Sequence, residues 1–135
     1  MCELNKHVSL FKTIRVYIMT ISSKYLFTAR MDIDQDKEAI FNSVYNEEHI
    51  PNLLSVPGVL SVNRYISQRF TLLIDGQRKD IRPSTEAKYM ALYELEDPEV
   101  LCSSKWGEEV EKGRWALDIR PYTYNRHHIL YEKLA

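Results

Sequence analysis

Residues 41–51 hold the histidine best suited to chemistry in this sequence. Phe41, Tyr45 and His49 are spaced four apart, so on a helix they form one row along the edge of an apolar stripe. Pro51 has no N–H and would clash with the carbonyl of Glu47, so we expect the helix to break there and leave His49 kinked and partly buried. An imidazole with an ordinary pKa near ~6.5 can exchange a proton with an acidic phenol or carbon acid at neutral pH.

His49 also has a purely structural interpretation, in which its ring fixes the kink by hydrogen bonding to the backbone. One of the preceding acids, Glu47 or Glu48, could orient the ring, but adjacent acids on a helix are commonly solvated, and we expect that of Glu47. The sequence leaves the catalytic and the structural interpretations of His49 open.

Two arginines, Arg30 and Arg64, fall within strand patterns, where a buried charge requires a partner. Either guanidinium could bind a carboxylate or enolate oxygen of a ligand. The alternative is that each pairs with an acid of the protein, such as Asp32 or Glu94.

Tyrosine is over-represented, with nine of fifteen aromatic residues, and a tyrosine suits a pocket or an interface better than a dry core. Tyr45, Tyr65, Tyr93 and Trp106 could line a flat slot for an aromatic ligand. Packing in the core or in a dimer is the alternative, and we favour it for Tyr93.

The sequence predicts no metal site and no cofactor. His127 and His128 are adjacent, so on a strand they point to opposite faces and do not hold one metal together. The two cysteines, Cys2 and Cys102, are far apart and form no CxxC motif. No glycine-rich loop of the kind that cradles a phosphate is present, which argues against a nucleotide cofactor.

The length of 135 residues fits one compact domain with its own core. Eighteen basic and nineteen acidic side chains give a net charge of −1, so nothing draws the chain towards nucleic acid or anionic lipid. The sequence has no secretory signal pattern and no apolar run that approaches the ~18 residues of a membrane span. We therefore expect a cytoplasmic protein with no membrane or nucleic-acid partner.

The apolar pattern predicts two β-α-β halves. Residues 25–33 alternate as a strand with one apolar face, and Asp97-Pro98-Glu99 is a strong helix start. The further predicted elements are a helix after Asp34, a strand over 60–66, a strand over 88–96, a helix from 97 to about Gly113, and a last strand that begins at 117–120 and is restricted by Pro121.

We predict an N-terminal extension over residues 1–22, which forms an extra strand or is disordered, and a main domain over 23–135. Between about 67 and 87 the domain carries an insertion, in which Asp75-Gly76 after an apolar run indicates a hairpin or flap. Arg82-Pro83-Ser84-Thr85 closes this hairpin.

The element order βαββαβ predicts an α+β ferredoxin-like sandwich: a four-stranded antiparallel sheet with both helices on one face. The other face of the sheet has no cover within the chain. An uncovered face with many aromatic and aliphatic side chains is an interface by default, so we predict a homodimer that packs sheet on sheet.

Several motifs make the chain resemble the EthD-like branch of the dimeric α/β-barrel superfamily. They are YNEEHIPNLL at 45–54, VPGV at 56–59, RY at 64–65, KYMALYEL at 88–95 and GRW at 113–115. The resemblance covers residues 24–125 and is more specific for the fold than for the chemistry.

The resemblance implies a homodimer with a small-molecule cleft between sheet and helices. In that family the matching histidine lies towards the cleft, which makes His49 the first candidate for a general acid or base. Arg64 is next to the signature and is the better of the two arginines for a ligand contact. With Tyr45, Tyr65 and Trp106, it completes the predicted substrate-binding set.

Three functions follow from these features. The first is a cofactor-independent enzyme that acts on an aromatic or polyketide-like metabolite, with His49 moving a proton and Arg64 or Tyr45 steadying an oxyanion. The second is a non-catalytic binding or assembly module of the same fold. The third, an RNA-binding module, ranks last because residues 88–91 lack the glycine of the RNA-recognition pattern.

Overall fold

The computed structural model describes residues 21–82 and 85–135. The predicted extension lies outside the described residues up to position 20, as do Pro83 and Ser84 of the turn predicted to close the hairpin.

The main sheet has four antiparallel strands in the order β2-β5-β1-β6. The strands of the chain are β1 (Tyr25–Ile33), β2 (Val59–Ile66), β3 (Phe70–Ile74), β4 (Gln77–Ile81), β5 (Tyr89–Leu95) and β6 (Thr123–Glu132). The two central strands, β5 and β1, are antiparallel neighbours. One helical crossover leads from β1 to β2, which pairs with β5, and the other leads from β5 to β6, which pairs with β1. This is the strand order of the predicted ferredoxin-like sandwich, which the structure confirms.

Two helical connections cross one face of the sheet. The first contains a 3₁₀ turn (Gln35–Lys37), α1 (Glu38–Val44), a π-helical turn (Tyr45–His49) and α2 (Ile50–Leu54). The second contains a 3₁₀ helix (Pro98–Cys102), α3 (Ser104–Glu109), a second π-helical turn (Trp115–Ile119) and a 3₁₀ turn (Arg120–Tyr122). Within residues 21–82 and 85–135, no helix is both long and apolar enough to cross a membrane.

The core lies between these connections and the sheet, because alternate strand residues face the helices. Ala29, Met31 and Ile33 of β1 are buried on this face. The connections add Phe41 and Ile119, both of which are fully buried.

The second predicted helix is divided, which corrects the expectation of one helix to Gly113. Asp97 caps its start as predicted by accepting a hydrogen bond from the Glu99 backbone N–H at 2.8 Å. Ser103 then adopts extended backbone angles and caps α3 with its hydroxyl, which accepts from the Trp106 N–H at 3.2 Å. A serine that can bond the backbone on both sides favours this interruption.

The expected start of the last strand at 117–120 is wrong. Residues 117–119 belong to the second π-helical turn, and Arg120 begins the 3₁₀ turn after it. The π-helical turn buries Trp115 and Ile119 and leaves Leu117 80% exposed. The strand begins at Thr123 instead, directly after the turn that contains Pro121. Burial of two large side chains four residues apart outweighs the short apolar run that suggested a strand.

The predicted insertion holds a two-stranded hairpin, β3–β4. Asp75 and Gly76 have positive φ angles of 53° and 71°, which suit the tight turn that joins the two strands. All five residues of β3 are exposed. The hairpin base borders the sheet face that carries Arg30 and Met90, on the side away from the helices.

The contact between Gly58, which precedes β2, and Val100 of the second helical connection provides a test of the packing of the core. Its φ is +92°, and a Cβ added there would lie 2.4 Å from Cγ2 of Val100, so Gly58→Ala combines backbone strain with overpacking. We expect it to lower the free energy of unfolding, measured by urea denaturation, by roughly 2–4 kcal/mol. Gly107→Ala is the control: Gly107 lies in α3 with open space around it, so alanine should be neutral or stabilise by up to ~1 kcal/mol. Equal destabilisation by both variants would contradict the close packing of Gly58 against Val100.

Candidate ligand-binding cleft

A cleft of about 330 Å³ lies between the sheet and the two helical connections. The strands contribute Phe27, Ala29, Met31, Tyr93, Arg126 and His128, and the connections contribute Tyr45, His49, Leu53, Trp106, Val110, Trp115 and Arg120. The walls are thus aromatic and aliphatic, with a few cationic and imidazole groups among them. This composition is typical of a site for a small organic molecule.

His49 is positioned by the first π-helical turn. The predicted break at Pro51 does not occur: the Ile50 N–H donates to the Tyr45 carbonyl five residues back, and Pro51 is the second residue of α2. The wider π turn relieves the clash that an α-helical proline has with the preceding turn, so the chain stays helical. His49 is only 5% exposed and is therefore more deeply buried than the expected kink implied.

The second π-helical turn presents Trp115 to His49. The two rings stack with centroids 4.2 Å apart and an interplanar angle of 20°. Tyr45 meets His49 edge-on at 5.0 Å and Trp115 edge-on at 4.9 Å. The three rings form a compact cluster that fixes the plane of the imidazole.

Glu48 joins the two turns. Its Oε1 accepts from the Arg114 backbone N–H at 3.1 Å, and its Oε2 lies 2.5 Å from the Arg114 guanidinium. These bonds to Arg114 hold the pKa of Glu48 below its ordinary value. Gly113 has a φ of +67°, a backbone conformation that favours glycine, and a Cβ there would lie 2.6 Å from Oε1 of Glu48 and displace that carboxylate. Glu48 therefore orients His49 indirectly, by holding the residue next to Trp115.

His49 is neutral at physiological pH. Burial, followed by the charges of Arg120 and Arg64, lowers its pKa from 6.5 to about 3. Its Nδ1 is buried and has no hydrogen-bond partner among the described residues. A buried polar atom of this kind is uncommon and requires an explanation. A neutral imidazole can accept one hydrogen bond and donate another, and it takes up a proton readily only beside a new negative charge.

Tyr45 and Tyr93 remain protonated phenols in the cleft. Their hydroxyl oxygens lie 3.0 Å apart, so one donates to the other. Burial raises the pKa of both groups. Neither side chain is a proton acceptor at neutral pH, which leaves the imidazole as the better base in this part of the cleft.

Two arginines line the cleft, and they are held differently. Arg120 donates to both carboxylate oxygens of Glu111, at 3.0 and 2.8 Å, and to the Val110 carbonyl at 2.6 Å. Arg126 of β6 is exposed and forms no ion pair within residues 21–82 and 85–135. His128 stacks on Phe27 at 5.7 Å, and partial burial lowers its pKa.

Of the predicted site residues, Tyr45, His49 and Trp106 meet in the cleft, whereas Arg64 and Tyr65 are not among its lining residues. Tyr65 is half-exposed on the sheet face opposite the helices, paired with Met90. No described residue of the hairpin lines the cleft either.

Arg64 lies over the ring of Tyr45, 4.4 Å from its centroid. Its guanidinium donates to the side-chain oxygens of Asn46 at 3.0 Å and Asn42 at 2.8 Å. The expected pairing of Arg64 with an acid is therefore wrong: amide oxygens and aromatic faces take that role. Arg30 does pair with an acid, at 2.7 Å, but the acid is Glu86.

Among the cleft residues that the sequence interpretation missed are Trp115, Arg120, Arg126 and His128. The first two lie in a segment that was assigned to the end of a helix and the start of a strand. The other two depend on the exact register of β6, which a short alternating pattern does not define.

Comparisons with known proteins agree on the fold. No protein-family model matches the sequence, and no curated protein matches it. Among solved structures, HapK from Hahella chejuensis is similar, with 10% identity, a TM-score of 0.54, and coverage of 82% of this chain and 92% of HapK. An antibiotic biosynthesis monooxygenase is similar at 12% identity and a TM-score of 0.52, over 82% of this chain and 99% of the other.

An EthD family protein from Bacillus halodurans is also among the matched structures, at 16% identity and a TM-score of 0.46, over 82% of this chain and 98% of the other. The structure, together with its likeness to HapK and to the monooxygenase, defines an α+β ferredoxin-like fold. The predicted fold class is confirmed, and so is the resemblance expected from the sequence, at the level of the fold.

The buried imidazole predicts a specific pH dependence of stability. Unfolded His49 binds a proton below pH ~6.5, whereas folded His49 does so only near pH 3, so stability falls as the pH decreases between these values. Between pH 7.5 and pH 5, we expect the unfolding free energy of the wild-type protein to fall by about 2 kcal/mol more than that of His49→Gln. Urea denaturation at several pH values measures this loss.

His127→Gln is the matched control, because His127 lies on the opposite sheet face, paired with Arg30. This variant should keep the wild-type pH dependence. In the wild-type protein, the ¹⁵N shifts of the His49 ring should remain those of neutral imidazole at pH 5. A His49 titration midpoint near 6.5 would contradict the neutral, desolvated ring.

Proposed function

We propose that this protein binds a small aromatic molecule in the cleft and that His49 accepts a proton from it. The observation that carries the proposal is a neutral imidazole, 5% exposed and with its Nδ1 unpartnered among the described residues, in a cleft with aromatic walls. Flat rings pack well against such walls. A ligand hydroxyl or acidic C–H placed beside the imidazole would give this group a partner.

The proposed step is a proton transfer. The proton moves from a phenol O–H, or from a C–H next to a carbonyl, to a ring nitrogen of His49. The electron pair of the broken bond remains on the ligand as a phenolate or enolate. The transfer requires only groups of this chain, so we propose a cofactor-independent reaction.

The low pKa of His49 sets the condition for this transfer. A pKa near 3 instead of 6.5 makes the imidazolium less stable by about 5 kcal/mol. The ligand oxyanion formed in the same step supplies an opposite charge at short range, in a site that excludes much of the water. Arg120 and Arg126, on the cleft wall, add to the stabilisation of that oxyanion.

A non-catalytic binding module is the second candidate. The stack of His49 on Trp115 and the depressed pKa favour it, because both suit an uncharged ring that serves as a wall of the cleft. In this case His49 contributes packing and one hydrogen bond to a bound molecule. Ligand binding would be retained and no proton transfer would occur.

Enolisation of 2-tetralone, an aromatic ketone with acidic C–H groups next to its carbonyl, distinguishes the two candidates. We expect the protein to accelerate deuterium uptake from D₂O, followed by ¹H NMR, and His49→Gln to slow the protein-dependent rate by ~100-fold or more. Because His49 stays neutral above pH 5, the rate should show no inflection near pH 6.5.

His127→Gln, outside the cleft, should keep the wild-type rate of exchange. An unchanged rate in folded His49→Gln would exclude the proton-accepting role. If 2-tetralone binds to the wild-type protein, as measured by calorimetry, but exchanges no faster than in buffer, the binding module is the correct function.

We further propose that two copies pair through the sheet face opposite the cleft, as the sequence suggested. Tyr65, Tyr124 and Tyr131 lie on this face, paired with Met90, Asp32 and Leu26, and each is about half exposed. An exposed aromatic surface of this kind is typical of a protein interface. This arrangement leaves the cleft of each copy on the outside of the paired sheets.

Sedimentation velocity tests the dimer. We expect the wild-type protein to sediment with twice the 16.0 kDa mass of one chain, and Tyr131→Glu to shift the population to monomer because it places a charge in the interface. Leu117→Glu, at an exposed position on the helical side, should remain dimeric. A monomeric wild-type protein at micromolar concentration would contradict the proposal.

A further inference from the structure

We infer that the cleft selects an aromatic anion and that Arg126 is the residue that recognises its charge. The inference rests on the proposed binding of an aromatic molecule and adds the chemical class of that molecule. It follows from the placement of this arginine on the cleft face of β6, beside a bulge in the strand.

The pairing of β6 with β1 contains a bulge. Arg30 pairs with His127, and Asp32 pairs with Tyr124, so Asn125 and Arg126 both oppose Met31. One extra residue shifts the alternation of side chains between the two faces. As a result, Tyr124 lies on the face of Asp32, away from the helices.

Beyond the bulge, Arg126 and His128 share the cleft face. In a regular strand, residues 124, 126 and 128 would all lie on one face. The bulge therefore moves Tyr124 to the other face, whereas Arg126 keeps the alternation with His128 and places a cation in a cleft whose opposite wall holds His49 and Trp115.

Asn125 maintains the bulge in a strained backbone conformation. Its φ is +50°, a value that residues other than glycine rarely adopt, although asparagine tolerates it better than most. Its amide group donates at 3.1 Å to Asp32 Oδ2 and at 3.1 Å to the Thr85 carbonyl. Asp32 Oδ1 also accepts from the Lys88 backbone N–H at 2.7 Å. These bonds hold the bulge to β1 and to the segment that leads into β5, which makes Asn125 a positioning residue for Arg126.

The two cleft arginines differ in what they can offer a ligand. Arg120 is committed to Glu111 and to a backbone carbonyl. Arg126 is exposed and forms no ion pair among the described residues, so its planar set of donors can meet a carboxylate with two hydrogen bonds. Charge and aromatic walls together select a flat anion over its neutral analogue.

Calorimetric titration with 2-naphthoate and 2-naphthamide tests the inference, because the two molecules have the same ring system and differ in charge. We expect the wild-type protein to bind naphthoate at least ~10-fold more tightly than naphthamide. Arg126→Gln should weaken naphthoate by roughly 10- to 100-fold and leave naphthamide within about twofold. Arg78→Gln removes an exposed arginine of the hairpin and should change neither affinity.

The outcomes separate this inference from the proposed function. Equal binding of both molecules by the wild-type protein would retain the aromatic cleft and overturn its selection of anions. Loss of naphthoate binding in Arg78→Gln as well as Arg126→Gln would assign the selectivity to overall charge and overturn the role of Arg126. If neither molecule binds, the proposed aromatic site and the inference both fail.

Two variants of Asn125 test its positioning role. Asn125→Gly removes the two amide hydrogen bonds but adopts the positive φ without strain, so we expect it to retain most of the preference for naphthoate over naphthamide. Asn125→Val is incompatible with that conformation and should lose the preference while naphthamide still binds. Retention of naphthamide binding shows that the cleft is folded in both variants. An unchanged preference in Asn125→Val would overturn the positioning role.

Discussion

The stack of His49 on Trp115 is the contact on which the rest of the cleft depends. It joins two helical connections that are far apart in the chain, with the ring centroids 4.2 Å apart, and so fixes the spacing of the helical wall over the sheet. Glu48 and Arg114 reinforce the contact outside the ring stack, where a charged pair remains partly hydrated. Without this pairing of the two connections, Tyr45 would lose its edge contact with Trp115.

The same packing determines the electrostatics of the site. Arg64 lies over Tyr45, and Arg120 lies on the cleft wall, so the buried imidazole experiences two positive charges. Desolvation and these charges both favour its neutral form, and they favour a negative charge on a ligand in the cleft. A neutral base and a preference for anions are therefore two consequences of one arrangement, since each added cation disfavours the imidazolium and stabilises an oxyanion.

The parts of the structure that were predictable from the sequence are those with a regular period. The two-residue alternation of β1 defined its apolar face, and Asp97 with Pro98 marked a helix start that the structure retains. The cleft wall from Tyr45 to His49 also followed from helical spacing. The bulge at Asn125 was not predictable, because one inserted residue has no periodic signal and its strained φ depends on hydrogen bonds to Asp32 and Thr85.

The two π-helical turns, in contrast, share a sequence pattern. This pattern explains why the helix does not break at Pro51 and why no strand begins at 117–120. Each begins with an aromatic residue, Tyr45 or Trp115, and has a proline six residues later, Pro51 or Pro121. In each case the N–H of the residue directly after the turn, Ile50 or Arg120, donates to the carbonyl of the first residue, and the proline that follows has no N–H to form the next bond of the π register. The proline thus ends the π register, and the chain continues as α2 after the first turn and as a 3₁₀ turn after the second. Each turn points its first and fifth side chains inwards, and this repeated geometry brings Trp115 onto His49.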